Sequence, residues 1–446
     1  MNNNPTQHTN IPAILVIAGS DSGGGAGIQA DIKTASALGV HAACVITSVT
    51  AQNTLGVHSV YDLPLDVIEA QFDAVLSDIE IGFAKCGMLN SPEIMRLVLA
   101  KLAEHDIPFV LDTVMAAEAG GSLMQDTAID VLRDEMIPTA YVITPNIHEA
   151  SRLTGTQIKY REDVYTALEK LVQMGARSAV ITGGHFDATD YLYTNDEHVS
   201  IPGSFIEGGT HGAGCSYATA ITSYLCKGYA LESACCSAKD FVTHAIAASV
   251  AIGHGAHPVN QSAYMIEMGE RFMALSDVRE AVELLVASDT AHVLIPEVRS
   301  NIGKAITNAV LESDVAAVNG RMVDMRGRIQ PVGAVDFGAS GHVARIILVV
   351  MGYDIIRRSG MNIRYSEKAV QVCEEMGLRC ASFRRQDEPA NVKTMDWGVS
   401  SVIERLGYVP DMIYDLGDVG KEPMIRILGD NAVDVATVVV KIANRL

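Results

Sequence analysis

Short apolar runs separated by amphipathic segments constrain the fold of this chain more tightly than any other feature. The runs cover residues 13–18, 44–49, 84–88, 109–111, 141–144 and 179–182, and each closes at glycine, asparagine, aspartate or threonine. Between them, residues 27–38, 91–104, 127–135 and 162–174 place apolar side chains at helical spacing. Strands alternating with helices predict an α/β architecture with a parallel sheet covered on both faces. The low aromatic content, 5%, suits strands packed from both sides by small and branched residues. In such sheets ligands collect at the carboxyl ends of the strands.

The chain has 446 residues, long for a single domain. A turn-rich stretch, Gly253-His254-Gly255-Ala256-His257-Pro258-Val259-Asn260, marks an edge, and a boundary is expected near residue 265. A second α/β unit follows, with strand-like residues 293–295, 334–337, 354–356 and 412–414 and helical residues 342–351 and 366–376. The polar first ten residues read as a disordered tail, so the expected divisions are 1–10, 11–264 and 265–446.

Charge narrows the partners. With 33 basic and 53 acidic residues the net charge is -20, which argues against gripping nucleic acid or an anionic membrane by bulk charge. Any bound anion has to be held locally. No apolar run approaches the roughly 18 to 20 residues that span a bilayer. The eight cysteines show no C-x-x-C pair and no zinc spacing, and no secretory signal is evident, so a reduced cytoplasm is the expected home. Small molecules, and further copies of the chain in a homo-oligomer, are the expected partners.

Two glycine clusters offer local anion sites. Gly209-Thr210-His211-Gly212-Ala213-Gly214-Cys215 precedes residues at helical spacing, so the backbone N–H groups of Gly212, Ala213, Gly214 and Cys215 face a helix N-terminus that favours phosphate and lowers a thiol's pKa. An ordinary glycine-rich turn before a helix is the bland alternative. Gly19-Ser20-Asp21-Ser22-Gly23-Gly24-Gly25-Ala26-Gly27 follows a strand and opens a helix. Its Gly25-x-Gly27-x-x-Ala30 fits a relaxed dinucleotide fingerprint, but no acidic residue stands about twenty residues on to hold a ribose. No G-x-x-x-x-G-K-[ST] occurs, which excludes a P-loop. Gln52 carries an amide carbonyl and an NH2 side by side, the complement that reads an adenine edge.

These motifs carry a resemblance. Ala18-Gly19-Ser20-Asp21, Gly27-Ile28-Gln29-Ala30-Asp31, Ala51-Gln52-Asn53-Thr54, Gly87-Met88-Leu89, Asp112-Thr113-Val114-Met115, Thr144-Pro145-Asn146-x-x-Glu149 and the run from Gly209 to Cys215 occur in the order seen in hydroxymethylpyrimidine and phosphomethylpyrimidine kinases of thiamine biosynthesis. The resemblance implies a ribokinase-like α/β sandwich that phosphorylates 4-amino-5-hydroxymethyl-2-methylpyrimidine and then its monophosphate, using ATP and magnesium. It implies that Gly19, Ala26, Asp31, Gln52 and Met88 border the ring, that Asn146 and Thr182 lie against the nucleotide, and that Asp112 and Glu149 serve the metal. Cys215 stands where many ribokinase-like relatives carry an aspartate base. Read alone, Met88 is core packing and Asn-x-x-Glu a helix cap. One position departs: Thr182-Gly183-Gly184-His185 replaces the Lys-Gly-Gly-His expected there, so either nucleotide affinity is lower or another cation serves the ATP phosphates.

The second unit resembles the non-barrel thiamine-phosphate synthase domain found fused to such kinases. The resemblance rests on Pro296-Glu297-Val298, Ser300-Asn301-Ile302, Gly320-Arg321, Phe337-Gly338-Ala339-Ser340-Gly341-His342-Val343-Ala344-Arg345, Met361-Asn362-Ile363-Arg364-Tyr365-Ser366 and Gly420-Lys421-Glu422-Pro423. It implies that pyrimidine diphosphate is joined to a thiazole phosphate with release of pyrophosphate. Arg321 and His342 are the implied catalytic pair, and Arg345, Arg364 and Lys421 the supporting cations. A pyridoxal or sugar kinase carrying a non-catalytic thiamine-phosphate sensor is the rival reading. Gln52, Cys215, Arg321 and His342 speak against it.

Overall fold

The computed structural model describes residues 11–115, 126–184, 186–387 and 394–446. The first ten residues and His185 therefore lie outside the described residues. Two compact units divide between Met265 and Ile266.

The described residues of the first unit form a nine-stranded sheet of β1 (Ala13–Asp21), β2 (His41–Asn53), β3 (Gly56–Asp62), β4 (Phe83–Cys86), β5 (Phe109–Leu111), β6 (Val142–Ile143), β7 (Ala179–Ile181), β8 (Asp190–Thr194) and β9 (Glu197–Ile201). Its order is β3-β2-β1-β4-β5-β6-β7-β8-β9. The six central strands, β2 through β7 in that order, run parallel, as their apolar runs predict. The edges do not. β3, β8 and β9 pair antiparallel, because β2–β3 and β8–β9 are hairpins, and a tight turn reverses the chain. Asn195 and Asp196, both at positive φ, make the second of these turns.

Helices cover both faces. On one face Leu15 and Ile17 pack with α2 (Leu65–Leu76), α3 (Pro92–Glu104), α4 (Asp126–Val131), α5 (Ile147–Thr154) and α6 (Arg161–Gln173). On the other, Ile14 and Val16 pack with α1 (Gly27–Ala37), while Val110, Val142 and Val180 pack with α7 (Ala213–Cys226) and α8 (Leu231–Ala247). Alternate residues of β1 thus face opposite layers, and each buried aliphatic side chain contributes about 1.5–3 kcal/mol.

The division between the units falls in the first turn of α9 (Ala263–Ala287). The second unit holds β10 (Ile302–Ala305), β11 (Val315–Val318), the small hairpin β12 (Met322–Asp324) and β13 (Ile329–Pro331), β14 (Val335–Phe337), β15 (Ser359–Arg364), β16 (Cys380–Phe383), β17 (Met412–Asp415) and β18 (Met424–Gly429). The main sheet runs β14-β11-β10-β15-β18-β17-β16 and is antiparallel except between β16 and β17. α10 (Gly341–Met351) and α12 (Thr394–Leu406) pack on one face; α9, α11 (Glu367–Glu375) and α13 (Ala432–Ala443) pack on the other. Two expected strands are absent here. Residues 293–295 fall largely in a 3-10 turn, Ala291–Leu294, and residues 354–356 form a turn that leaves Ile355 and Ile356 exposed. Runs of three residues, the second of them opening on Asp354, are too short to establish a period.

Candidate active sites

The first cleft has a volume of about 650 Å³ and is lined by Asp21, Met88, Asp112, Thr144 and Thr182, residues at or just beyond the carboxyl ends of the parallel strands. Its anion end is the start of α7. Gly212 caps that helix at φ +85°, and a Cβ there would stand 1.9 Å from the carbonyl oxygen of Gly25, so only glycine lets the two loops meet. The first turn of the helix leaves backbone N–H groups without helical partners. Ala213 departs from expectation, because its N–H is spent on the carbonyl of Thr210 at 2.8 Å. Gly212, Gly214 and Cys215 remain as the cradle, and all three line the cleft.

Cys215 is half-buried, and its thiol is not lowered as the helix terminus suggested. Burial pushes it up to about 12, against the pull of Lys85. Lys85, in β4, is the residue that sequence reasoning missed. Its ammonium is fully buried, 3.1 Å from Asp31 and 3.3 Å from Asp112. Burial disfavours its charge, yet the Asp31 carboxylate above all, with further help from Asp112, holds it protonated above the ordinary lysine range. A charged residue midway along a strand covered on both faces is the signal that could have revealed such a partner. Asp31 is corrected accordingly. It is fully buried, binds Lys85 and the Thr219 hydroxyl (2.7 Å), and is absent from the cleft wall, so it supports the site from beneath instead of bordering the ring.

Asp112 and Glu149 face the cleft together. Burial first, and the Asp112 charge second, push the Glu149 carboxyl up to about 7. Asp112 Oδ2 makes no hydrogen bond among the described residues beyond its ion pair with Lys85, and two neighbouring carboxyl groups on one cleft wall supply oxygens of the kind a divalent cation takes. Among the described residues no group of three or more His, Cys, Asp or Glu converges on one point, so magnesium held here would take phosphate or water oxygens for the rest of its shell. Asn146 and Glu149 also form a complete capping box for α5: Asn146 Oδ1 accepts from the Glu149 N–H at 3.0 Å, and Glu149 Oε2 accepts from the Asn146 N–H at 3.0 Å. The cap and the site are therefore one structure. Thr182 pairs with Asn146 as an isolated bridge, and both line the cleft. Near Thr182 the wall carries Lys239, its Nζ 2.8 Å from Asp190, which in turn accepts from the Gly183 N–H. Lys239 was not singled out from sequence because Asp190 lies 49 positions away.

The acceptor end gathers Gly19, Ala26, Gln52 and Met88. Gln52 holds its place by its own backbone, donating to Ser22 Oγ at 2.8 Å, which leaves most of the side-chain amide to the cleft. A Cβ on Gly19 would press on Met88 Sδ at 3.0 Å, so the glycine keeps that thioether against the cleft.

The second unit has its own cleft of about 450 Å³, lined by Arg299, Gly320, Arg321, Ser340, Gly341 and His342 among others. Arg299 and Arg321 both adopt left-handed backbone, φ +71° and +73°, a strained state for side-chain-bearing residues that clusters at functional sites. Arg299 is an addition to the expected set. His342 sits in the first turn of α10, where burial first, then Arg426, Arg321, Arg345 and Arg385, pull its pKa down to about 4, so the ring is uncharged. The supporting cations are corrected. Arg345 is paired with Glu312 at 2.8 Å, Arg364 ends β15 on the surface, and Lys421 lies in a turn with Asp418; none of them lines the cleft.

Comparison with known proteins places both units. The phosphomethylpyrimidine kinase family matches residues 21–260, and the thiamine-phosphate synthase ThiN family matches residues 277–441. The bifunctional thiamine biosynthesis protein ThiDN of Methanocaldococcus jannaschii is 35% identical over 97% of this chain and 99% of its own. The hydroxymethylpyrimidine/phosphomethylpyrimidine kinase of Haemophilus influenzae is 43% identical over 57% of this chain and 98% of its own. Among solved structures, an ADP complex of Bacillus subtilis pyridoxal kinase is 34% identical over 57% of this chain and 99% of its own, with a TM-score of 0.54, in keeping with a ribokinase-like first unit. Matched at both units and along nearly its whole length, the chain belongs to the phosphomethylpyrimidine kinase family, in the bifunctional arrangement that joins such a kinase to a thiamine-phosphate synthase domain of the ThiN type.

Proposed function

We propose that the first cleft phosphorylates the aminopyrimidine alcohol and then its monophosphate, and that the second joins the diphosphate to the thiazole phosphate. The observation that carries the kinase reading is the meeting of Gln52 and the Gly212–Cys215 cradle in one cleft. Gln52 orients the ring through its paired donor and acceptor, and Met88 packs against it. The N–H groups of Gly212, Gly214 and Cys215 hold the transferring phosphoryl group; by analogy with oxyanion holes each is worth roughly 3 to 4 kcal/mol in the transition state. Lys239 supplies the cation that Thr182 does not. Magnesium, held by Asp112 and Glu149, would neutralise phosphate charge when bound.

In the transfer, the acceptor oxygen forms its bond to the γ-phosphorus of ATP, the bond to the β–γ bridging oxygen breaks, and ADP leaves. The acceptor proton passes to Cys215 Sγ as thiolate, the thiol having first given up its own proton to solvent. Because burial holds the resting thiol near 12, the thiolate forms against its surroundings, with Lys85 as the cation that favours it. In the second cleft, Arg321 and Arg299 clamp the diphosphate beside the N-terminus of α10. The uncharged His342 gives a hydrogen bond, not a proton. The bond from the pyrimidine methylene to the diphosphate breaks, the thiazole nitrogen bonds to that carbon, and pyrophosphate departs. A cytoplasmic enzyme fits eight cysteines that all stand free; no helix among the described residues is long and apolar enough to cross a membrane.

The test uses the intact chain with pyrimidine alcohol, ATP, magnesium and thiazole phosphate, following thiamine phosphate. Arg321→Ala should abolish condensation and leave pyrimidine phosphorylation in place. Cys215→Ala should do the reverse, with condensation restored by supplied pyrimidine diphosphate. Unchanged thiamine phosphate formation in Arg321→Ala would overturn the assignment of the second cleft.

A further inference from the structure

A kinase that acts twice at one site has to accept two unlike groups. The first acceptor is a neutral hydroxymethyl group; the second is its phosphate ester, which brings a charge of about -1.5 to -2 near neutral pH into a cleft already holding the phosphates of ATP. The cradle at Gly212, Gly214 and Cys215 and the cation Lys239 are assigned to ATP, so the acceptor phosphate needs a donor of its own beside them.

His211 stands at that place. It immediately precedes the Gly212 cap and lines the cleft, with its side chain nine-tenths buried. Its backbone N–H donates to the carbonyl of His257 at 3.2 Å, which fixes the main chain. Its ring is wedged against the glycine loop, where a Cβ on Gly25 would meet the imidazole at 2.3 Å. Nε2 lies 3.5 Å from Asp21 Oδ2. Asp21 itself is immobilised by N–H groups of Gly23 (2.7 Å), Gly25 (2.9 Å) and Ala26 (2.8 Å), so the carboxylate sets the ring's orientation. Burial works against the Asp21 charge, but the hydrogen bonds from His211 and this loop hold its carboxyl below the ordinary range. On the other side of the ring, Nδ1 is buried and has no hydrogen-bond partner among the described residues. A buried polar atom without a partner is rare in folded proteins and points to a group that arrives with the ligand. The same glycine loop reaches the acceptor end through Ser22, whose hydroxyl donates to the Gln52 carbonyl at 2.7 Å. His211 thus joins the start of the cradle to the glycine loop that reaches Gln52.

We propose that His211, oriented by Asp21, is the acceptor-phosphate residue of the second phosphorylation: its Nδ1–H donates to the phosphate of the monophosphorylated pyrimidine. This rests on the two-step kinase reading above. On a ring that Asp21 holds from the Nε2 side, an Nδ1–H turned to the phosphate makes a charge-assisted hydrogen bond, stronger than a neutral one. The alcohol brings no such anion and leaves Nδ1 with only a neutral hydrogen bond.

The test measures KM and kcat of the intact chain separately for the alcohol and for the monophosphate, in the wild type and in His211→Gln. KM for the monophosphate should rise tenfold or more, while KM for the alcohol changes less than threefold. Equal shifts for the two acceptors, or no shift for either, overturn the proposal. Should His211→Gln lower the melting temperature so far that kinetics fail, the wild type answers directly: with 15N-labelled histidine, addition of the monophosphate should produce one imidazole nitrogen coupled to 31P across a hydrogen bond, and absence of that coupling overturns it. A wild type that phosphorylates the alcohol but never the monophosphate would instead sink the two-step reading itself.

Discussion

Lys85 shows how a single buried charge organises a site. Its ammonium joins Asp31 of α1 to Asp112 beyond β5, and a Cβ on Gly87 would press on Nζ at 2.8 Å, so even the next turn is shaped around it. Removing one partner of a buried pair strands the other, typically at a cost of about 3–5 kcal/mol. Lys85→Met should therefore lower the unfolding free energy by that order in urea denaturation, and a loss under 1 kcal/mol would show that the carboxylates find other partners. Cys215 gives the second prediction at this scale. If a thiolate takes the acceptor proton, the active form is the deprotonated one. With its pKa pushed up to about 12, the thiolate fraction grows tenfold per pH unit across pH 7 to 10. Single-turnover rates with the alcohol should climb through that range, and Cys215→Ala should flatten the climb while lowering the rate 10²- to 10⁴-fold. An equal climb in the variant removes Cys215 as the base. Neither residue was legible in this form: Lys85 reads as one polar residue in an apolar run, and the helix terminus at Cys215 promises a low pKa that burial reverses.

Among the elements, the start of α7 carries the most function per residue, and its two glycines differ sharply. Gly212 has positive φ and faces the Gly25 carbonyl; Gly214 has nothing within 4 Å of its would-be Cβ. Gly212→Ala should separate the cradle from the glycine loop, destabilise the chain by roughly 1–3 kcal/mol and cut kcat/KM for ATP at least tenfold. Gly214→Ala should be tolerated in stability. Thermal melts and kinase assays on the pair decide whether the loop contact or the mere presence of glycine matters. The elements that position this site were readable because parallel strands covered on both faces are uninterrupted apolar runs. β3, with exposed His58 and Ser59, and the hairpin β8–β9 lack such runs, and their signal was turn chemistry at Asn195-Asp196. In the second unit, an antiparallel sheet with strands as short as three residues offers little period to read, and the run at 293–295 ended in a 3-10 turn ahead of Pro296.

At the scale of the molecule, each unit has a core of its own: Leu15, Phe72, Val98 and Leu168 belong to the first, and Val278, Ile302, Ile427 and Val439 to the second. Separate cores permit separate responses to pH, and His342 supplies one. Its folded pKa of about 4 lies below the ordinary histidine value of 6.5, so the unfolded chain binds a proton more readily than the folded one between those limits. The stability this lends is complete above pH 6.5 and is lost as pH falls toward 4. By linkage it amounts to roughly 2–3 kcal/mol, diminished by the solvent that the half-buried ring still meets. Scanning calorimetry from pH 7.5 down to 4.5 should show a transition that falls with acid, and His342→Asn should make that same transition less sensitive to acid while leaving the kinase unit's response as it was. Because the ring is already uncharged at pH 6 to 8, condensation by the wild type should show no histidine-like inflection in that range. An inflection near pH 6.5 that disappears in His342→Asn would show instead that the ring works as an imidazolium, handing a proton to the departing pyrophosphate.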